Sequence, residues 1–222
     1  MTGDTVASRL ALKWPKDGEE WSRFEAKYSD STLMIGDHPV MEAWETPYMK
    51  ELSGVITRHG GQTLEIGYGM GFATRYILDN PRVQHHTVVE AHAAVLEKCR
   101  HVHADEIESG RLTVVCGLWQ DSTPELPSGS FDGVLFDTYP LTPDELHKNH
   151  FPFFDEAYRL LKKGGVLSYY SDEVSSFSQE HLRELKAAGF TDIDSYVCQV
   201  TPPSDCLYWK ASSFLVPVVK KT

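Results

Sequence analysis

From residue 62 onward, short apolar runs alternate with longer amphipathic stretches. Gln62-Thr63-Leu64-Glu65-Ile66-Gly67, His86-Thr87-Val88-Val89-Glu90, Leu112-Thr113-Val114-Val115-Cys116, Phe131-Asp132-Gly133-Val134-Leu135-Phe136-Asp137 and Val166 to Tyr170 are rich in β-branched and aromatic residues. Each is too short for a helix, so they predict five strands. Residues 71–79, 91–104, 143–161 and 178–188 read as helices, the third stopped at Gly164-Gly165 and the last closed by Gly189. Two late strands, near 191–200 and 207–219, follow with no helix between them, which predicts a terminal hairpin with one antiparallel strand. Strand–helix alternation of this kind implies an α/β fold, a mostly parallel seven-stranded sheet with helices on both faces. Ahead of it, residues 1 to about 20 are polar and irregular and predict a loose arm. Pro39 to His59 has helical spacing, with a kink expected at Pro47. Residues 21–60 thus read as an N-terminal helical lid before a core at 61–222. No repeat or linker divides the chain, so 1–222 reads as one domain.

Composition narrows the classes. Of 222 residues 41% are apolar, enough for a substantial core, but no apolar stretch approaches the roughly 18 residues of a membrane span. The first residues lack the basic start, apolar run and small-residue site of a signal peptide. No membrane association and a cytoplasmic location are expected. The net charge of −11 opposes a phosphate backbone, and the only short basic clusters are Lys162-Lys163 and Lys220-Lys221. A small cationic partner suits this balance and a nucleic acid does not. Cys99, Cys116, Cys198 and Cys206 form no CxxC pair, and the ten histidines are scattered. Free thiols in a reducing compartment and no metal site are expected. Oligomeric state is left open, a homodimer included.

Candidate chemistry gathers at the strand ends. Glu65-Ile66-Gly67-Tyr68-Gly69-Met70-Gly71 has the form ExGxGxG at the first strand–helix turn, where glycines let the backbone turn sharply and approach a ligand. A nicotinamide fingerprint would need glycine where Phe72 stands. The acid before the glycines instead suits the amino group of S-adenosylmethionine, answered through water. Alone, the glycine pattern fits a tight structural turn equally well. Glu90, however, closes the second strand, where an acid accepts hydrogen bonds from ribose hydroxyls. Gly117-Leu118-Trp119-Gln120 follows the third strand and could flank an adenine. Asp137 closes the fourth, at the mouth where such sheets bind ligands, placed to touch cofactor and substrate alike. The four features in register point to a class I methyltransferase with a Rossmann-like fold, using S-adenosyl-L-methionine and releasing S-adenosyl-L-homocysteine.

Two carboxylates then stand out as catalytic candidates, Asp137 and Glu45, the latter within Pro39-Val40-Met41-Glu42-Ala43-Trp44-Glu45-Thr46-Pro47-Tyr48-Met49. A lid segment could bring Glu45 opposite Asp137, and two carboxylates in one pocket bind a planar cation in bidentate fashion. On PVMEAWETPYM, LEIGYGMG, GLWQD, FDGVLFDTYP, YRLLKKGGVL and VTPPSDCLYW, the chain resembles the guanidinoacetate N-methyltransferases from about Trp21 to its end. The resemblance implies cofactor contacts at Trp21, Met41, Met49, Met70, Gly71, Phe72, Ala73, Thr74, Arg75, Glu90, Ala91, His92, Trp119 and Gln120. It also implies that Glu45 and Asp137 hold a guanidinium; one of the two, Asp137 in preference to Glu45, is then expected to act as the base. One position departs from the family. Where those enzymes carry Leu-Thr beside the substrate carboxylate, this chain has Asp172-Glu173. Like charges repel there, whereas an ammonium would be welcome. The expected substrate is therefore a small guanidino compound, leaning to free L-arginine, which the related fungal-type arginine N-methyltransferases also suggest. Guanidinoacetate is the alternative. A protein-arginine methyltransferase and a cofactor-binding protein without catalysis are further readings.

Overall fold

The computed structural model describes residues 12–222. Seven strands form one sheet in the order β6-β5-β4-β7-β8-β10-β9: β4 (Gly61–Ile66), β5 (Val83–Glu90), β6 (Leu112–Cys116), β7 (Phe131–Phe136), β8 (Leu161–Tyr169), β9 (Asp192–Gln199) and β10 (Ser213–Lys220). β4 to β8 are mutually parallel, and β10 runs antiparallel to both β8 and β9. The period of two along each strand sends alternate side chains to opposite faces. Val88, Leu135 and Val166 join one apolar cluster, whereas Val89, Val134, Phe136 and Leu167 join the other. The first cluster includes Met49, Leu52, Val55 and Ile56 of the helix Thr46–Ile56. The second includes Phe154, Ala157 and Leu160 of the helix Phe154–Leu160 and Leu185 of Gln179–Ala187. Among the described residues no helix is long and apolar enough to cross a membrane.

The N-terminal segment differs most from expectation. Part of the expected loose arm, residues 1–11, lies outside the described residues. The rest is anchored. The helix Gly18–Arg23 is capped by Asp17, whose carboxylate accepts from the Glu20 N–H at 2.8 Å. Lys13 lends its carbonyl to the His38 ring, with Nε2 at 3.0 Å. In place of continuous lid helices, a three-stranded antiparallel sheet follows: β1 (Ala26–Tyr28), β2 (Thr32–Ile35) and β3 (His38–Glu42). The expected helix from Pro39 therefore begins only at Thr46, after a 3-10 turn over Ala43–Glu45. Pro47 sits in its first turn, where a missing N–H costs nothing, and so starts the helix instead of kinking it.

Two other helices are broken. The expected 143–161 helix is two 3-10 turns, Pro143–Glu145 and Phe151–Phe153, before Phe154–Leu160. His147, at φ +65°, takes a left-handed conformation that no helix interior allows. Leu161 turns extended, so the helix ends there and not at the Gly164-Gly165 pair, which lies inside β8. The expected 91–104 helix gives way at His103 to a second short one, Ala104–Glu108. The last strand starts at Ser213 and not at Leu207, and residues 200–212 form a loop.

Candidate functional site

The C-terminal ends of β4, β5, β7 and β8 open into a cavity beneath the N-terminal segment. The glycine loop after β4 shapes one end. A Cβ on Gly67 would lie 2.0 Å from the Asp137 carbonyl oxygen, and its φ is +91°, so only glycine lets the ends of β4 and β7 pass this closely. The Asp137 N–H donates to the Ile66 carbonyl at 2.9 Å and ties the two ends together. Just beyond, the Tyr68 N–H donates to Glu90 Oε2 (2.9 Å) and the His92 N–H to Oε1 (2.7 Å). Each oxygen of a carboxylate can accept twice, so Glu90, buried and lining the cavity, keeps acceptor capacity for a diol. Burial raises its carboxyl pKa, and the backbone N–H groups oppose that rise. Val95, Leu118 and Trp119 wall the same end. Trp119 is held edge-on by Phe153 and Phe136, with centroids 5.2 and 6.2 Å away. Trp21, 4% exposed, stacks on Tyr139 at 5.3 Å and 6°.

Of the residues expected around a cofactor, Trp21, Met41, Gly67, Gly69, Glu90, Ala91, Trp119, Gln120 and Asp137 line this cavity. The lining omits Met49, Glu65, Met70, Gly71, Phe72, Ala73, Thr74, Arg75 and His92. Met49 is core. Ala73 and Thr74 are buried in the helix Phe72–Leu78, on which Arg75 is exposed. His92 contributes its backbone to Glu90 and its ring to the Phe24 carbonyl, 2.9 Å from Nε2. Glu65 is engaged by its neighbours. Its Oε2 accepts from the Thr74 hydroxyl (2.7 Å) and meets His86 Nε2 (2.9 Å), while His86 Nδ1 meets the Thr63 hydroxyl (2.9 Å). The Glu65 carboxylate thus sits in a polar network behind the loop.

The opposite end gathers negative charge. Glu45, Asp137 and Asp172 line it, and Glu45 is 1% exposed. Burial pushes the Glu45 carboxyl up to about 7, although the phenols of Tyr208 and Tyr170 and the Glu42 N–H donate to it. Burial, then Glu45, Glu65 and Asp172, hold the Asp137 carboxyl well above the usual carboxylate range. With Glu90 and Glu145 the lining holds five acids, and no lysine or arginine among the described residues. Such a cavity repels anions and stabilises a cation.

The family model described as guanidinoacetate N-methyltransferase matches residues 15–222. The chain belongs to the guanidinoacetate N-methyltransferase family. Curated relatives include proteins named protein arginine N-methyltransferase 2. That of Kluyveromyces lactis is 29% identical over 164 residues, 70% of this chain and 39% of the relative. That of Aspergillus oryzae is 29% identical over 147 residues, 64% of this chain and 34% of the relative. The chain thus spans well under half the length of these relatives. Among solved structures, a spermidine synthase from Thermotoga maritima covers 89% of this chain and 72% of its own at a TM-score of 0.62 and 17% identity. A spermidine synthase in complex with the transition-state analogue AdoDATO aligns over 89% of this chain and 73% of its own, at a TM-score of 0.66 and 17% identity. At that identity the likeness establishes the fold alone, a class I methyltransferase-like sheet.

Within this guanidinoacetate N-methyltransferase fold, the Asp172-Glu173 pair splits. Asp172 stays at the cavity in a left-handed conformation (φ +56°), with Oδ1 3.1 Å from Nδ1 of His147, itself left-handed. Asp and His are among the non-glycine residues that tolerate this conformation best. Glu173, expected beside it at the substrate, is absent from the lining. Its Oε1 accepts from the Ser178 N–H (3.0 Å) and meets His181 Nδ1 (3.2 Å), because the backbone turn at Asp172 sends successive side chains apart. Tyr170, Tyr208, Tyr139, His147, Asn149 and Tyr28 went unmarked in the sequence reading. Tyr28 donates to the Gly69 carbonyl at 3.2 Å and pins the glycine loop to β1. Only Tyr139 and Tyr208 lay inside distinctive motifs, DTYP and CLYW.

Proposed function

We propose that this protein is an S-adenosylmethionine-dependent N-methyltransferase that methylates a guanidino nitrogen of a small molecule, free L-arginine in preference to guanidinoacetate. The observation that carries the reading is the convergence of Glu45, Asp137 and Asp172 on a cavity with no lysine or arginine in its described lining. The residues present fit the cofactor. Glu90 retains acceptor capacity for ribose hydroxyls, Trp119 and Leu118 offer a flat apolar wall, and the acidic lining suits a positive sulfonium. When bound, S-adenosylmethionine supplies an electrophilic methyl on a positively charged sulfur and departs as the neutral thioether.

The chain's own residues do the rest. A guanidinium is a weak nucleophile because its lone pairs are delocalised and it is fully protonated at neutral pH. Glu45 and Asp137 hold its planar fork and point one nitrogen at the methyl. As the C–N bond forms and the C–S bond breaks, Asp137 accepts the proton that nitrogen loses. Its raised affinity for protons without ligand fits a base. Asp172 alone, and not the Asp172-Glu173 pair, bears on the far end of the substrate. It supports arginine, whose α-ammonium it would attract, over guanidinoacetate, which brings only a carboxylate. The names of the curated relatives favour a second reading, arginine within a protein.

Labelled methyl transfer to arginine, guanidinoacetate, agmatine and an arginine peptide separates these readings. Arginine should be the best acceptor. Agmatine, which lacks the carboxylate, isolates the ammonium contribution. A peptide labelled far faster than the free amino acid would overturn the small-molecule assignment.

A further inference from the structure

The loop 200–212 between β9 and β10 carries the motif Thr201-Pro202-Pro203-Ser204-Asp205-Cys206-Leu207-Tyr208-Trp209, which the chemistry above leaves unused. Several contacts tie it in place. The Cys206 N–H donates to the Pro203 carbonyl (3.1 Å) and Lys210 Nζ to that of Ser204 (2.8 Å). Trp209 is 1% exposed and stacks on Phe214 with centroids 4.0 Å apart. Tyr208, 7% exposed, lies against Trp44 and ends with its hydroxyl 2.5 Å from Glu45 Oε1. The same oxygen accepts the Glu42 N–H at 2.9 Å.

The kind of partner matters as much as its distance. A buried carboxylate can be stabilised by a cation, which cancels its charge, or by neutral donors, which leave the charge in place. Glu45 has neutral donors from three directions: Tyr208 on the loop, Tyr170 after β8, and the Glu42 backbone. Among the described residues, the titratable groups that act on it are Glu42 on its own segment, Asp137 at the end of β7, Tyr170, and Tyr208 with Cys206 on the loop. None is cationic, so the negative charge is kept for the ligand. Tyr208 cannot supply the second charge itself, since burial and Glu45 push its phenol far up.

We infer that Tyr208 is a positioning residue, whose hydroxyl donates to Glu45 and fixes its carboxylate so that it and Asp137 together take the guanidinium. The inference rests on the guanidino reading for its functional consequence but not for the pairing itself. Tyr208→Phe removes one hydroxyl. It should lower kcat/KM for the guanidino substrate about fivefold or more at pH 7, mainly through KM. The acid limb of the pH profile should move up by about one unit or more, so that the deficit narrows at pH 9. Affinity for S-adenosylmethionine should be unchanged. Carboxyl-13C NMR of glutamate-labelled protein needs no substrate. The Glu45 resonance, assigned by its loss in Glu45→Gln, should titrate at higher pH in Tyr208→Phe. 3,5-Difluorotyrosine at position 208, a stronger donor that keeps the ring, should move it the other way and serves if Tyr208→Phe unfolds. An unmoved midpoint overturns the pairing. A moved midpoint with no methylation of any guanidino compound leaves the pairing standing and refutes the assigned reaction.

Discussion

At Glu45 burial and charge oppose each other directly, and the consequence is measurable without substrate. Its carboxyl rises from an ordinary 4.5 to about 7 in the fold, so the folded protein holds that proton more tightly than the unfolded chain. The associated stability is complete below about pH 4.5 and is lost as pH rises through about 7, a loss of about 3 kcal/mol. Glu45→Gln keeps the shape and does not titrate. In ligand-free protein it should be more stable than wild type above pH 7, and the advantage should shrink towards pH 4.5. Urea denaturation across that range checks this; a difference that does not change with pH would remove the charge conflict from Glu45. A guanidino substrate of the kind proposed would reverse the sign, because a bound guanidinium favours the ionised form, and the same substitution should then weaken binding. Asp137→Asn isolates the proton step. Steady-state kinetics should show kcat reduced by roughly 10²-fold or more, with cofactor affinity by calorimetry much less affected. Normal turnover would assign the base elsewhere.

The glycine loop joins sequence to site at the level of the element. Gly67→Ala would drive a methyl into the Asp137 carbonyl at a φ of +91°. It should destabilise the fold by at least about 2 kcal/mol. Gly129, also left-handed but with open space around its Cβ position, should lose only about 1 kcal/mol on the same change. Equal losses at both sites, measured by denaturation, would show that the close approach of β4 and β7 is not what demands glycine. That loop was legible because its spacing is local, as were the strands of the sheet, whose apolar runs are set by burial on both faces. The N-terminal segment was not. Val40, Met41 and Trp44 have helical spacing, but the strand His38–Glu42 is selected by its pairing with β2, a tertiary effect that overrides local preference. The 143–161 stretch failed for a related reason, since nothing in the pattern announces the left-handed turn at His147. Side-chain direction was the least legible property of all. Glu65 and Glu173 have the right chemistry in the right neighbourhood, yet one faces His86 and the other His181.

Across the whole molecule the net charge of −11 and the acidic cavity act in the same sense. Both draw cations in, and salt should weaken that attraction while leaving the contacts inside the cavity largely intact. The N-terminal segment and the sheet enclose the cavity together. Trp21 stacks on Tyr139, Tyr28 reaches Gly69, and His38 Nδ1 lies 3.1 Å from the Tyr139 hydroxyl, and the Glu90 and Glu45 ends belong to one chamber. The central claim is that this chamber carries a methyl to a guanidino nitrogen. It is tested most directly by incubating the protein with labelled S-adenosylmethionine and equal concentrations of L-arginine and guanidinoacetate, then identifying the products by mass spectrometry. N-Methyl-L-arginine should predominate, with a ratio of about tenfold corresponding to ~1.4 kcal/mol of preference. Predominance of the guanidinoacetate product would return the substrate to the plain family assignment, and the absence of label from both compounds would contradict the claim itself.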